Sequence, residues 1–130
     1  KVLVFSQFTS LLAILRKDLA SFHPLYLDGS MSHEERGSEV EKFQRDEHSS
    51  LFLLSLKAGG SGLNLTAADT VILIDPWWND AVEQQAIGRV HRLGQTKKIL
   101  AKRYLTPNSI EEKMLSLKEK KLSDVNLLLE

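Results

Sequence analysis

Two arginines are spaced so that both side chains can act on one phosphate group. Arg89 and Arg92 lie three residues apart in QQAIGRVHRLGQ (residues 84–95), so on a helix they share a face, with Gln85 one turn earlier. Each guanidinium offers a fork of donors that matches phosphate oxygens, and the pair repels unless an anion lies between. This pattern predicts stabilisation of charge on a phosphoryl group. A solvated basic face is the alternative, because residues 89–103 hold six basic side chains and no acidic one.

A glycine-rich segment, SLKAGGSGLNL (residues 55–65), follows a predicted strand. Gly59, Gly60 and Gly62 allow backbone N–H groups to approach an anion without interference from a Cβ, and Lys57 adds a positive charge. A tight turn from strand to helix is the alternative. The segment is not a P-loop, which needs G-x-x-x-x-G-K-[ST], because the chain contains no Gly-Lys dipeptide. It is not a dinucleotide fingerprint either, because leucine occupies the third glycine position.

Both tryptophans of the chain lie in DPWWN (residues 75–79), at the end of a predicted strand. A tryptophan in a loop can stack on a base or a sugar and donate through its indole N–H. The alternative is a hydrophobic lid on the edge of the sheet. For Trp77 the two interpretations are equal, whereas for Trp78 the pattern favours a functional role.

The elements that must position these residues alternate between strand and helix. Short apolar runs predict strands, most of them buried on both faces, at 2–5, 25–27, 51–55, 71–75 and 99–105. Helical periodicity and S-x-x-E capping boxes predict helices at 9–20, from Ser32 to about Gln44, at 80–93 and from Ser109 through about Leu122. This order predicts one α/β domain with an open, mostly parallel sheet and helices on both faces. Ligands of such sheets bind beyond the carboxyl ends of the strands.

Composition excludes several classes of protein. The 130 residues contain 17 basic and 17 acidic side chains, so the overall charge gives no indication of nucleic-acid binding. The absence of cysteine excludes a disulfide scaffold, and the four histidines lack the spacing of metal ligands, so we predict no metal site. No apolar run reaches the ~20 residues of a membrane span, so we predict no membrane association. The chain opens directly on a buried strand, which favours a fragment of a longer protein.

Taken together, the motifs resemble the C-terminal helicase motifs of the SWI/SNF family in helicase superfamily two. KVLVFSQF (residues 1–8) resembles motif IV, and LDGSM (27–31) resembles the segment after it. SLKAGGSGLNL resembles motif V, and DPWWN with QQAIGRVHRLGQ resembles motif VI and its approach. SIEEKM (109–114) is similar to the helix that braces the two lobes. The resemblance covers almost the whole chain and implies a three-layer RecA-like fold for residues 1–130, with a brace-like helix at 109–122.

The resemblance also implies roles for individual residues. Arg89 and Arg92 match the arginine fingers of the family, which are its catalytic residues in this lobe. The residues that match nucleotide-binding positions are Gly62, Asn64 and Gln85. Those that match DNA-binding positions are Lys57, Gly59, Gly60 and Trp78. The chain departs from the family at Asp80, where proline is usual, and this puts strong phosphate contact beside Trp78 in doubt.

The resemblance further implies that this lobe completes an active site which another lobe builds. The Walker lysine and the DEAH-type motif, which hold ATP and Mg²⁺, belong to the first RecA-like lobe of the family. We therefore expect no ATP hydrolysis and no tightly bound cofactor from this chain alone, and we expect it to be monomeric. The expected partners are that first lobe and double-stranded DNA. The expected location is intracellular: the nucleus in a eukaryote, or the cytoplasm and nucleoid in a bacterium.

Two other functions remain open from the sequence. The lobe could be a binding module for nucleic acid or protein whose parent has lost ATPase activity. The residues upstream distinguish this case, because a missing G-x-x-x-x-G-K-[ST] would favour it. The chain could also be an independent nucleotide-binding α/β enzyme. That reading requires micromolar ATP affinity, which calorimetry would detect.

Overall fold

The computed structural model describes residues 1–55, 63–75, 80–90, 95–103 and residue 117. The strands in this part of the chain are β1 (Val2–Ser6), β2 (Leu25–Leu27), β3 (Leu51–Ser55), β4 (Thr70–Leu73) and β5 (Leu100–Arg103). The helices are α1 (Thr9–Asp18), a 3₁₀ turn (Ala20–Phe22), α2 (His33–Arg45) and α3 (Asp80–Gly88). The predicted C-terminal helix lies outside the described residues except for Leu117, which is helical and exposed.

The five strands form one parallel sheet in the order β2-β3-β1-β4-β5. Strand β1 lies at the centre, where Val4 pairs with Leu53 of β3 on one side and with Ile72 of β4 on the other. The carboxyl ends of β1 and its two neighbours therefore meet at one edge of the sheet. The predicted open parallel sheet is confirmed.

Alternating residues of the strands pack against helices on opposite faces of the sheet, which gives three layers. On one face, Leu12 of α1 packs with Val4 and Leu53. On the other face lies the larger core, to which α2 contributes Phe43 and the region of α3 contributes Ala86 and Val90. The strands read as continuous apolar runs because both faces are covered.

Helix α2 begins as its sequence predicts. The Ser32 hydroxyl accepts from the Glu35 N–H at 3.2 Å, and the Glu35 carboxylate accepts from the Ser32 N–H at 2.8 Å. This capping box satisfies two backbone donors that the first turn would otherwise leave unpaired. It also fixes the point at which the chain leaves the loop after β2.

Two helices end earlier than the sequence predicts. Helix α1 ends at Asp18, and the chain tightens into the 3₁₀ turn before His23, whose φ of 49° is left-handed. The Pro24 that follows disfavours a right-handed helical conformation at His23. Helix α3 ends at Gly88 rather than near residue 93, and the Val90 N–H donates to the Ile87 carbonyl, three residues back, at 3.1 Å. Glycine has a low helix propensity, and a three-residue bond is typical of a tightening last turn.

Candidate nucleotide and nucleic-acid site

The carboxyl ends of β1 and β4 are joined by one buried carboxylate. Asp75 is 3% exposed and accepts a hydrogen bond from the Ser6 hydroxyl at 2.5 Å and from the Gln7 N–H at 3.0 Å. The Ser6 oxygen in turn accepts from the Phe8 N–H at 3.0 Å. The segment that resembles motif IV is thus fixed to the first residue of DPWWN. The predicted DNA-binding Trp78 lies outside the described residues.

The loop after β2 is held by groups from within and from α2. The Asp28 carboxylate accepts from the Ser30 N–H at 2.8 Å, from the Ser30 hydroxyl at 2.5 Å and from the Tyr26 hydroxyl at 2.6 Å. The hydrogen bonds from Ser30 and then Tyr26 lower the pKa of the Asp28 carboxyl. From α2, the Arg36 guanidinium donates to the carbonyls of Met31 and Gly29, each at 3.1 Å. This Arg36 contact has no local sequence signature, and the sequence reasoning assigned that residue no role.

The described part of the motif V segment begins at Leu63. The predicted DNA-binding Lys57, Gly59 and Gly60, and the predicted nucleotide-binding Gly62, lie outside the described residues. Asn64 is exposed and Leu65 is fully buried. The alternation turns the Asn64 side chain outward while Leu65 anchors the backbone in the core.

The Leu65 N–H donates to the carbonyl of Arg89 at 3.1 Å. This bond brings the end of the motif V segment against Arg89, the first residue of the segment 89–92, which we call the two-arginine segment. The structure therefore brings the backbones of Leu65 and Arg89 together.

The structure describes Gln85 and Arg89 of the predicted shared face of Gln85, Arg89 and Arg92, and it does not place these two on one continuous helix. Helix α3 ends at Gly88, so Arg89 lies beyond it in a turn, and Arg92 lies outside the described residues. The exposures also differ, since Gln85 is exposed whereas Arg89 is only 5% exposed. The guanidinium of Arg89 cannot lose its charge by deprotonation, so its burial concentrates a positive charge in a low-dielectric setting.

The exposed positive charges near this region follow the arginines in sequence. Lys97, Lys98 and Lys102 are all exposed. In a chain with 17 basic and 17 acidic residues, these lysines form a local positive stretch of the sequence rather than a property of the whole protein. Exposed positive charges of this kind attract a phosphate backbone without selecting a base sequence.

A groove of about 840 Å³ lies between α1 and α2, beside the edge strand β2. Its floor includes Tyr26, with the Arg16 guanidinium 4.7 Å from the ring centroid. The acidic groups along it are already hydrogen-bonded within the protein: Asp28 to Ser30 and Tyr26, and Glu39 to the Tyr26 N–H at 3.0 Å. We therefore assign this groove no ligand.

The residues that the structure describes contain no group of three or more histidine, aspartate or glutamate side chains arranged to hold a metal ion. They also contain no helix that is long and apolar enough to cross a membrane.

Residues 1–94 match the family model described as the helicase conserved C-terminal domain. The chain is 46% identical over 123 residues to the DNA repair protein rad8 of Schizosaccharomyces pombe, covering 93% of this chain and 11% of that protein. It is 47% identical over 123 residues to the ATP-dependent helicase rhp16 of the same yeast, covering 93% of this chain and 14% of that protein. The chain thus spans a small part of the curated relatives that it matches.

A solved structure matches the fold closely. The crystal structure of the C-terminal part of the Fun30 ATPase domain is 43% identical to this chain, with a TM-score of 0.85. The match covers 90% of this chain and 38% of that chain.

Proposed function

Since the chain belongs to the helicase conserved C-terminal domain family and is a C-terminal helicase lobe of the SWI/SNF type, we propose that it completes the ATPase site of a motor that moves along double-stranded DNA. In this proposal, Arg89 and Arg92 are supplied to ATP that is held by the first lobe of the same protein. The lobe does not hydrolyse ATP by itself. Gln85, Asn64 and Gly62 line its side of the nucleotide cleft.

The observation that carries the proposal is the bond between the Leu65 N–H and the Arg89 carbonyl at 3.1 Å. It sets the end of the glycine-rich segment, one residue after Asn64, against the backbone of Arg89, and this proximity supports a nucleotide cleft lined from both segments. The same chain lacks the Gly-Lys dipeptide of a P-loop. Residues suited to a γ-phosphate, without a P-loop to hold it, fit an active site shared between two lobes.

In this proposal, the lobe stabilises the negative charge that develops on the γ-phosphate. Phosphoryl transfer spreads negative charge over the γ-phosphate oxygens, and a guanidinium offers paired donors to them. Closure of the two lobes brings the arginines to the phosphate, and opening removes them, so ATP turnover is coupled to relative motion of the lobes. ATP and Mg²⁺ are needed by the whole motor, and we assign their main ligands to the first lobe.

The contacts with DNA are proposed for the residues that match the family there. One strand of the duplex would be contacted by Lys57, by the backbone of Gly59 and Gly60, and by Trp78. Such contacts go mainly to phosphates and sugars, so the motor binds DNA without strong sequence preference. The relatives that it matches include eukaryotic DNA repair proteins, and we propose a nuclear location on that basis.

The test of the proposal is Arg92→Ala in the full-length protein. We expect DNA-stimulated ATP turnover to fall by about 10³-fold or more, the usual effect of removing an arginine finger. The matched control is Arg45→Ala, because the Arg45 side chain is 82% exposed and, within the described part of the chain, forms an ion pair only with Glu41, at 3.4 Å. It removes the same charge from the same lobe and should leave turnover unchanged. If Arg92→Ala kept normal turnover, the arginine-finger assignment would be wrong.

A further inference from the structure

We propose that Gln95 is a positioning residue that holds the two-arginine segment against the end of the motif V segment. This inference rests on the proposed function above. The Gln95 Nε2 donates to the carbonyls of Thr66 and Ala68, each at 2.9 Å, and to the carbonyl of Val90 at 3.1 Å. Its Oε1 accepts from the Lys97 N–H at 3.0 Å. One amide group thus joins three separate stretches of backbone.

The hydrogen-bonding capacity of the amide explains why glutamine suits this position. An amide nitrogen carries two hydrogens, so three acceptors imply that at least one hydrogen is shared between two carbonyls. Every group that the nitrogen contacts is an acceptor, and the group that the oxygen contacts is a donor. A carboxylate here would place negative oxygens against three carbonyl oxygens, and an apolar side chain would leave the partly buried carbonyls unpaired.

The turn that Gln95 holds is itself a rigid part of the core. Leu65 and Ala68 are fully buried, and the Ala68 N–H donates to the Leu65 carbonyl at 3.1 Å. Val90 is fully buried in the same cluster. Gln95 therefore links two buried stretches of backbone by hydrogen bonds where their apolar side chains already pack together.

A second glutamine holds the same turn from the opposite side. From α2, the Gln44 Oε1 accepts from the Ala67 N–H at 2.7 Å and its Nε2 donates to the Thr66 hydroxyl at 3.1 Å. Among the described residues, the Gln44 side chain bonds to Thr66 and Ala67, whereas the Gln95 side chain also bonds to Val90. The two side chains therefore share one turn but differ in whether they also hold the backbone beside Arg89.

The hydrogen bond from Gln95 to the Val90 carbonyl constrains the backbone after Gly88. Because α3 ends there, Arg89 lacks the regular frame of a helix. Two of the bonds that hold this stretch join backbone groups: the Arg89 carbonyl accepts from the Leu65 N–H, and the next carbonyl, of Val90, accepts from Gln95. Charge stabilisation depends on placement, and an error of about 1 Å can cost as much as 10²-fold in rate. Gln95 thus acts on the reaction through the arginines.

The experiment compares Gln95→Ala with Gln44→Ala in the full-length protein, by DNA-stimulated ATP turnover and thermal unfolding. We expect Gln95→Ala to lower kcat by about tenfold with the KM for ATP nearly unchanged, because the interaction is needed only when charge develops. Gln44→Ala should lower the unfolding temperature comparably and keep kcat. Gln95→Met, which keeps the volume but removes the donors, is a second variant should the alanine variant fold poorly.

A double-mutant comparison separates positioning from general destabilisation. If Gln95 acts through the arginines, adding Gln95→Ala to Arg92→Ala should reduce kcat by less than about twofold further, because groups that act as a unit are not additive. A full tenfold additional loss would overturn the inference, as would a normal kcat for both Gln95 variants. If Arg92→Ala itself kept normal turnover, the proposed function would fail instead.

Discussion

The Ser6 hydroxyl lies 2.5 Å from the Asp75 carboxylate in the protein interior, and the Ser30 hydroxyl lies at the same distance from the Asp28 carboxylate at the surface. Ser6 is fully buried and Asp75 is 3% exposed, whereas Ser30 is exposed. The chain therefore contains the same hydrogen bond in two settings, both at loops that follow strands of one sheet. The buried bond joins β1 to β4, and the exposed bond closes a turn after β2.

The first prediction follows from this pair. Ser6→Ala should lower the free energy of unfolding by about 1–3 kcal/mol, because it leaves one lone pair of the buried Asp75 carboxylate without a partner away from water. Ser30→Ala should cost no more than about 1 kcal/mol, because water replaces the lost hydroxyl. Denaturant unfolding of the two variants measures both values. Equal losses of unfolding free energy in Ser6→Ala and Ser30→Ala would show that burial does not govern the strength of the hydrogen bond between Ser6 and Asp75.

Much of the fold could be predicted from local sequence. The strands at Leu25–Leu27 and Leu51–Ser55 and the capping box at Ser32 lie where they were predicted. Continuous apolar runs indicate buried parallel strands, and the capping box depends on two residues three positions apart. The end of α3 could not be placed in this way. Helical periodicity continues past Gly88, and the Arg89 carbonyl just beyond it bonds to the N–H of the distant Leu65.

The candidate site could be predicted only in its residue types. Spacing identified the two arginines and the glycine-rich segment, but the burial of Arg89 depends on the packing around Val90 and Leu65. The roles of Gln44 and Gln95 were not predicted at all. Each contacts a turn more than twenty residues away in sequence, and glutamine has no local pattern that marks such a contact. The only signal in the sequence was that Gln95 ends the motif containing the arginines.

The second prediction concerns the response to alkaline pH. Burial, and then the hydrogen bond to Asp28, raise the pKa of Tyr26 to about 12 from 10.0. A folded-state pKa above the unfolded value means that the neutral phenol stabilises the fold. This contribution is complete below about pH 10 and is lost as pH rises toward about 12. The free energy of unfolding should therefore decline more steeply in this window for the wild type than for Tyr26→Phe.

The ultraviolet absorbance of tyrosinate measures the same property directly. The chain contains two tyrosines, so the difference between wild type and Tyr26→Phe isolates the ionisation of Tyr26. Its midpoint should lie near pH 12. Asp28→Asn weakens the hydrogen bond and removes the nearby negative charge, so it should lower that midpoint. A wild-type midpoint at pH 10 would contradict the prediction.

The third prediction tests the proposed contact with DNA through Lys57. Lys57→Ala in the full-length protein should weaken binding to duplex DNA by about the same factor for unrelated sequences. It should also reduce the slope of log affinity against log salt concentration by about 1, because one phosphate contact is lost. Lys17→Ala is the matched control, because Lys17 is an exposed residue of α1 and its loss changes the net charge equally. If net charge alone governed affinity, the two variants would weaken binding to the same extent. Fluorescence anisotropy at several salt concentrations distinguishes these outcomes, and equal slopes for both variants would exclude a specific phosphate contact at Lys57.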